Sequence, residues 1–383
     1  MSMVETQKKP SGVWLFLSFL VAAVSIYGIM QVFTHGQEES YGISREVPWG
    51  ILIIGYSFLV GISAGAAVIG SLAHVFKVSV FHVESKRVAL ISLAALVGAF
   101  FLIFWELAGP FELQSMRLLK YYSQLEFTSP IWWMATLYVL ELPLLALEIY
   151  FLLSKKKNAS FFAALVGFFM GIIAYSTLAF VFASNATRPL WNTTSFSLTF
   201  LISATAAGAA VVLLVLFMSG KGKILKKETD ALSKTLFLGL CVIFFINAWN
   251  VLMYTYSNVD TELGATMKLF IGNGVLSSNF YYMELLVGIF LPLVFLLIGK
   301  FHSSFLSALA GLFMLVGMFF HRYDNIIGGQ LLSRPSTQMD FVQHSYHVSN
   351  TELSLFIGGL GVAGIVYFLG EKLFNLEEEE VHA

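Results

Sequence analysis

Apolar residues along this chain come in long continuous runs separated by short polar segments, with no period-two alternation. A spanning helix needs about 20 mostly apolar residues, because the hydrocarbon core is roughly 30 Å thick and each residue rises about 1.5 Å. Ten runs qualify: 13–33, 50–76, 88–109, 131–153, 160–183, 197–218, 234–255, 280–298, 304–320 and 352–369. The pattern predicts an all-α integral membrane protein of ten transmembrane helices and argues against a membrane β-barrel. These helices take over half of the chain and leave no room for a soluble domain. The first run follows Lys8 and Lys9 as a signal peptide would. It is longer than the usual h-region and lacks an A-x-A-like cleavage site, so it is expected to stay as a helix.

The polar connections orient the spans. With the N-terminus in the cytoplasm, the inside segments carry Lys8, Lys9, Lys77, Lys86, Arg87, Lys155 to Lys157, Lys221, Lys223, Lys226, Lys227, Lys234, Lys300 and Lys372, most of the 22 Lys and Arg. That is the positive-inside bias, and it puts both termini in the cytoplasm. The opposite connections, about 110–130, 184–196, 256–279 and 321–351, are longer and rich in Tyr, Asn, Arg and Trp, as a docking surface would be. The run Glu377 to Glu380 reads as a solvated tail.

Two parts of the chain repeat one another at an offset near 140 residues. Ile62-Ser63-Ala64 matches Ile202-Ser203-Ala204; Phe100-Phe101 before Trp105-Glu106 matches Phe244-Phe245 before Trp249-Asn250; Tyr138 before Glu141-Leu142 matches Tyr281 before Glu284-Leu285. The order predicts two consecutive four-helix bundles, spans two to five (50–183) and six to nine (197–320), flanked by helices one and ten. Residues 1–49 then hold the first helix and an outer loop, 184–196 and 321–351 are outer loops, and 352–383 is the last helix with its acidic tail. An even number of spans per unit makes the repeats parallel. Gly61 and Gly65, continued by Ala64, Ala67 and Gly70, form a small-residue stripe for close helix packing.

Composition removes whole classes of function. Hydrophobic residues make up 57% of the 383 positions and charged ones 12%, with a mean hydropathy of +0.79. A soluble domain is about a quarter charged, so a water-soluble enzyme, a disordered chain and a nucleic-acid binder are excluded. The single cysteine, Cys241, rules out an intramolecular disulfide, a Cys-ligated iron–sulfur cluster and a structural zinc site within this chain. The histidines are poorly placed for haem: His74 and His321 stand at span ends and the other six in loops or tails, so no facing pair can supply axial ligands.

Carboxylates at membrane depth cost at least ~2.5–3.5 kcal/mol and are candidates for function. Glu141 lies mid-span in the fourth run, with Glu148 two turns further on roughly the same face. Glu106 is near the outer end of span three, and Glu284 in the outer third of span eight; Pro143 and Pro292 interrupt helices in the same spans. Glu141 also reads as a neutral acid bonded within its bundle, and Glu148 as a partner of Lys155 to Lys157. Ser349-x-x-Glu352 reads as a capping box for the last helix. Arg117, Arg188, Arg322 and Arg334 stand out on the cation-poor outer side, where span-exit arginines anchor to headgroups, to partner carboxylates or to a ligand. Most of the Trp residues near this interface read as belt residues.

Pro48-Trp49-Gly50 opening span two, followed by Phe58-Leu59-Val60-Gly61-Ile62-Ser63-Ala64-Gly65-Ala66, resembles the signature of the NrfD-like family of polysulfide reductase membrane subunits. Trp105-Glu106, Glu141 and Arg322-Tyr323-x-Asn325 through Gly328-Gly329-Gln330 follow in the same order, so the resemblance covers essentially the whole chain. It departs before span ten, where Ser349-Asn350 stands in place of a proline. The resemblance implies a membrane anchor that binds menaquinone or ubiquinone near the extracytoplasmic face. It also implies docking there of a ferredoxin-like iron–sulfur subunit, in complexes completed by a molybdopterin, hydrogenase or cytochrome catalytic subunit.

On this basis the quinone is expected in the outer half of the first bundle, near spans two to four. Glu106 exchanges protons at the headgroup, Trp105, Arg117 and Asn185 line or orient the site, and Glu141 and Glu148 lead toward the cytoplasm. Glu284 with Asn250 is a relic of the repeat or a second path, and Arg188, Arg322 and Asn325 meet the partner. The alternatives are a secondary transporter, which also uses repeats, broken helices and midplane acids, and a purely structural anchor.

Overall fold

A computed structural model of the chain describes residues 11–76, 78, 85–107, 123–188, 190–256, 262–333, 342–374 and 376. Arg117, Arg334, the side chain of His74 and the acidic tail lie outside the described residues. Ten helices among the described residues are long and apolar enough to cross a membrane, one for each predicted run. The first is jointed at Val24, giving α1 (Ser11–Ala23) and α2 (Ser25–His35), and α3 (Gln37–Ser40) follows. Then come α4 (Ile51–His74), α5 (Ser85–Leu107), α6 (Pro130–Leu153), α7 (Lys157–Ala183), α8 (Thr194–Met218) and α9 (Lys226–Tyr256). Short α10 (Glu262–Met267) precedes the eighth span, made of α11 (Asn279–Phe290) and α12 (Leu291–Ile298); α13 (Ser304–Leu331) and α14 (Asn350–Leu373) complete the set.

Helices are the economical solution here, because in lipid each backbone N–H and C=O must be satisfied within its own segment. Polar side chains mark the starts. Ser129 and Ser303 accept from Trp132 N and Leu306 N to cap α6 and α13, and Ser349 and Glu352 form the predicted capping box of α14. The helices share two ends. One, the lysine-rich end, is where α4, α6, α8 and α12 finish and α5, α7, α9 and α13 begin. The other, the long-loop end, is where α2, α5, α7, α9 and α13 finish and α4, α6, α8, α11 and α14 begin.

Close packing is set by small residues. α4 crosses α8 where Gly65 faces Ala204 and Gly208, and a Cβ at either glycine would strike backbone. Gly288 of α11 and Gly317 of α13 meet in the same way. α4 also packs on α5, α7 and α13, α6 bridges α5 and α7, and α8 packs on α9 and α13. The first and last spans lie together, with Ser18, Ala22 and Ser25 seated against Gly364, Gly361 and Gly358. At the lysine-rich end Arg87 donates to Glu371 and to the Tyr367 hydroxyl (2.7 Å), tying α5 to α14.

Three features differ from the sequence expectation. The hydropathy run of span nine ends at 320 and 321–351 reads as a loop, but α13 continues to Leu331. Its added turns are polar yet buried, with partners inside the protein, so hydropathy falls while helicity persists. Leu332–Ser333 (β1) then pairs antiparallel with Val342–Gln343 (β2), the one strand pair among the described residues. Pro143 does not break α6, which runs through it. And α11 is wound as a π-helix, with Leu291 N–H closing on Leu286 O, just before Pro292 withdraws a donor from the ladder.

Candidate functional site

A space opens between α8, α9, α11 and α13 toward the long-loop end. It is a cleft of about 570 Å³, part of it open to the surroundings. Its walls are aromatic, from Phe196, Phe200, Phe270 and Phe280; its polar groups are Thr193, Thr199, Asn247, Asn250, Glu284, His321 and Asn325. A mostly apolar cavity with a few convergent polar groups is the ordinary form of a small-molecule site.

Glu284 is the centre of these groups. It is buried on α11, and its Oε1 accepts from Asn247 Nδ2 of α9 and from His321 Nδ1 of α13, each at 2.8 Å. Asn325, one turn on from His321, donates to the His321 carbonyl at 2.7 Å and lies 3.3 Å from both ring nitrogens. Three helices thus converge on one carboxylate oxygen. Below the pair lies a second space of about 300 Å³ lined by Ser203, Gly288, Met314, Gly317 and others, which also touches Glu284 and His321. The acid–imidazole pair therefore separates two spaces.

Arg322, next in sequence, has no exposed surface. It reaches across the molecule, donating through Nη2 to Tyr175 Oη of α7 (2.8 Å), to Ser203 Oγ and to Phe200 O, with its guanidinium 3.6 Å from the Phe200 ring centre. Its Nε and Nη1 are buried without hydrogen-bond partners. The expectation that Arg322 meets a partner protein is corrected by this burial: the residue links α13 to α7 and α8. Asn325 lines the cleft in place of an outer surface. Arg188 is half-buried and donates to the carbonyls of Gly329, Gln330 and Leu332, closing the last turn of α13. Burial lowers its pKa from the usual guanidinium value. Trp191 from the same linker donates to Asn325 O (2.8 Å), and only a glycine at 329 leaves room for its indole.

The acids of the first half are housed differently. Glu141 faces α7, where a Cβ on Gly171 would lie 3.3 Å from its Oε1, and Glu148 faces Gly167, where the corresponding distance is 3.6 Å. The two carboxylates do share a face of α6, as their spacing predicts. Glu141 Oε2 and the hydroxyl of Tyr138, one turn away, are buried without hydrogen-bond partners.

Glu106 stands at the long-loop end of α5, with Oε2 also buried and unpartnered. Gln37 Nε2 donates to the carbonyls of Trp105 (2.8 Å) and Glu106 (3.2 Å), and Tyr41 Oη donates to Trp105 O (2.7 Å). Burial, and then the charge of Glu106, push the Tyr41 phenol up beyond its ordinary range. The Trp105 ring packs edge-on against Phe33, Phe101 and Phe104. Asn185 is used locally, accepting from Thr187 N and Oγ1 in a turn after α7. Glu352 is fully buried and does more than cap: it accepts from Gly42 N (2.8 Å), Ser349 N (3.0 Å) and Tyr346 Oη (2.9 Å), pinning the segment before α4 to α14. The Pro48-Trp49-Gly50 motif is held by Gln330, whose amide pairs with both backbone groups of Trp49 at 3.0 Å.

Of the residues singled out in the sequence, Glu284 and Asn250, expected as a relic of the repeat or a second path, and Asn325, expected to meet the partner, line this cleft, whereas Asn247 and His321 in this role are not foreseen. The available signal was the helical spacing of His321, Asp324 and Asn325, which continues the face of the preceding span.

Comparison with known proteins places this geometry in context. The family described as "Polysulphide reductase, NrfD" matches residues 39–333. A protein of Archaeoglobus fulgidus, named as the Hdr-like menaquinol oxidoreductase integral membrane subunit, is 24% identical over 380 residues, spanning 95% of this chain and 93% of its own. A selenate reductase subunit from Mesobacillus selenatarsenatis is 21% identical over 426 aligned positions, spanning 96% of this chain and 95% of its own.

Proposed function

The chain belongs to the polysulphide reductase NrfD family, and we propose that it is the quinol-interacting membrane subunit of a respiratory oxidoreductase complex, holding the quinone headgroup in the cleft above Glu284 and His321. One observation carries this reading: an acid, an imidazole and three carboxamides converge inside aromatic walls at membrane depth. The full-length likeness to a menaquinol oxidoreductase membrane subunit supports the same ligand class.

The donor set suits the headgroup. Asn250 and Asn325 offer N–H donors to a ring oxygen, and Phe196, Phe200, Phe270 and Phe280 pack on a flat ring and exclude water. Quinol, when bound, supplies two electrons and two protons. The Glu284 carboxylate is the group that accepts a proton, and Asn247 Nδ2 and His321 Nδ1, both on its Oε1, hold it in place. Electrons leave to a cluster on a ferredoxin-like iron–sulfur subunit, since one cysteine cannot ligate a cluster here. The chemistry is completed by a catalytic partner of molybdopterin, hydrogenase or cytochrome type. The distribution of lysine supports placing the long-loop end at the extracytoplasmic face, with both termini cytoplasmic. The repeat, with the packing of α4 through α7 and of α8 through α13, supports two four-helix bundles. A proton route along α6 through Glu141 and Glu148 belongs instead to a headgroup placed beside Glu106.

Replacing Glu284 with Gln in the purified complex is expected to lower quinol-linked turnover by about 10²–10⁴-fold while the complex still assembles. Turnover at the wild-type rate would refute the assignment. A second reading, with the headgroup beside Glu106, is favoured by its buried, unpartnered Oε2 at the end of α5, where Gln37 and Tyr41 bond the carbonyls of Glu106 and Trp105. It predicts that Glu106→Gln, and not Glu284→Gln, abolishes turnover.

A further inference from the structure

The π-winding of α11 has a geometric consequence for an acid the mechanism above leaves unused. Residues five apart stand one turn from each other on such a helix, so Asn279 and Glu284 share a face. On α13, His321 and Asp324 are three apart and also share a face. The helices run antiparallel and make two rungs. Glu284 meets His321 at 2.8 Å, and one turn nearer the long-loop end Asp324 Oδ1 accepts from Asn279 Nδ2 at 3.2 Å. Asp324 has no exposed surface, and its Oδ2 is buried without a hydrogen-bond partner. A structural carboxylate normally has both oxygens satisfied; this one has a single amide for company and stands one helical turn from the Glu284–His321 rung.

We infer that Asp324 is the proton carrier next after Glu284, receiving the proton taken from quinol and passing it toward the long-loop end along the Asn279 rung. The step is a proton transfer alone. Glu284 gives up the proton and returns to carboxylate, the unpartnered oxygen of Asp324 becomes hydroxyl, and no electron moves. Asn279 positions Asp324 by fixing Oδ1, so that Oδ2 is the oxygen left free to take the proton. The inference rests on the assignment of the headgroup to the Glu284 cleft.

The test uses the whole purified complex with a short-chain menaquinol analogue. Asp324→Asn is expected to lower kcat at least tenfold with KM unchanged, to raise the solvent deuterium isotope effect on kcat, and to remove a protonated-carboxyl band from the infrared difference spectrum recorded on reduction. Asp324→Glu should restore turnover in part. Should Asp324→Asn fail to assemble, Asn279→Leu, which frees Oδ1 but keeps the acid, is expected to shift the same infrared band. Wild-type kcat and isotope effect in Asp324→Asn, or an unshifted band in Asn279→Leu, would overturn the inference. Glu284→Gln run alongside separates the two levels. If that variant is inactive while Asp324→Asn is normal, only the relay fails; if Glu284→Gln is itself normal, the cleft assignment fails.

Discussion

Glu141 and Glu284 begin the same sequence word, each three residues after a tyrosine and just before a leucine, yet they occupy unlike surroundings. Glu141 is wedged against Gly171 with one oxygen unpartnered and Tyr138 buried beside it. Glu284 is bracketed by Asn247 and His321 and opens on a cleft, while Tyr281 is exposed. When the preceding spans are aligned on Phe100-Phe101 and Phe244-Phe245, Ile103 takes the place of Asn247, and Glu106 that of Asn250. A single amide on the neighbouring helix is thus part of what turns a merely buried acid into one with a defined geometry. Repetition supplied the carboxylates, and substitutions around them supplied the difference.

The comparison breaks first at the acids. Glu284→Gln should cost about 10²-fold or more in quinol-linked turnover, and Glu141→Gln only a few-fold on the order of one RT step in barrier. Equal losses would show that the two halves share the work. Asn247→Ile installs the first half's residue in the second. It leaves Glu284 with His321 and should lower turnover about tenfold, in line with the ~1–3 kcal/mol cost of stripping a partner from a buried polar group, read as kcat in the assembled complex.

The packing around the acids supplies a smaller contrast. A Cβ on Gly288 would lie 2.6 Å from the Cα of Gly317, backbone against backbone, whereas one on Gly171 meets a carboxylate oxygen at 3.3 Å that can swing aside. Gly288→Ala should therefore destabilise by about 1–3 kcal/mol and Gly171→Ala by well under half of that, measured as thermal midpoints in detergent.

How far the sequence discloses this arrangement depends on which force decides each feature. All ten spans are legible, because length and apolarity are what lipid demands, and the capping box at Ser349 and Glu352 is local enough to read directly. The extension of α13 is not legible by hydropathy, since His321, Arg322, Asp324 and Gln330 are made tolerable only by partners from distant segments: Glu284, Tyr175, Asn279 and Trp49. The same cause misdirects Arg322, which looks like an exposed cation until Tyr175 and Ser203 are seen around it. The π-winding that aligns Asn279 with Glu284 leaves no trace in composition beyond Pro292. Glu106, chosen from the sequence for its depth, keeps the unpartnered oxygen that motivates its rival assignment.

The smallest predicted effect concerns the two phenols at the long-loop end. Tyr41 and Tyr346 are raised above the ordinary range, chiefly by burial and then by Glu106 and Glu352 respectively. The folded state holds these protons more tightly than the unfolded chain. Their contribution to stability is therefore intact below about pH 10, the unperturbed tyrosine value, and is lost as pH rises from there toward the folded values. In an alkaline ultraviolet titration neither phenol should ionise at about pH 10, the unperturbed tyrosine value; ionisation of Tyr41 or Tyr346 there would contradict the burial argument.

The most direct test of the central assignment is to find where the headgroup lies. The purified complex, labelled with a photoreactive azido-quinone and digested, should carry the label on peptides from α9, α11 and α13, around Asn247 to Val251, Phe280 to Glu284 and His321 to Asn325, with protection by excess menaquinol analogue. Protectable label concentrated instead on Gln37 to Tyr41 and Trp105 to Glu106 would contradict the account and move the site to the first half of the chain.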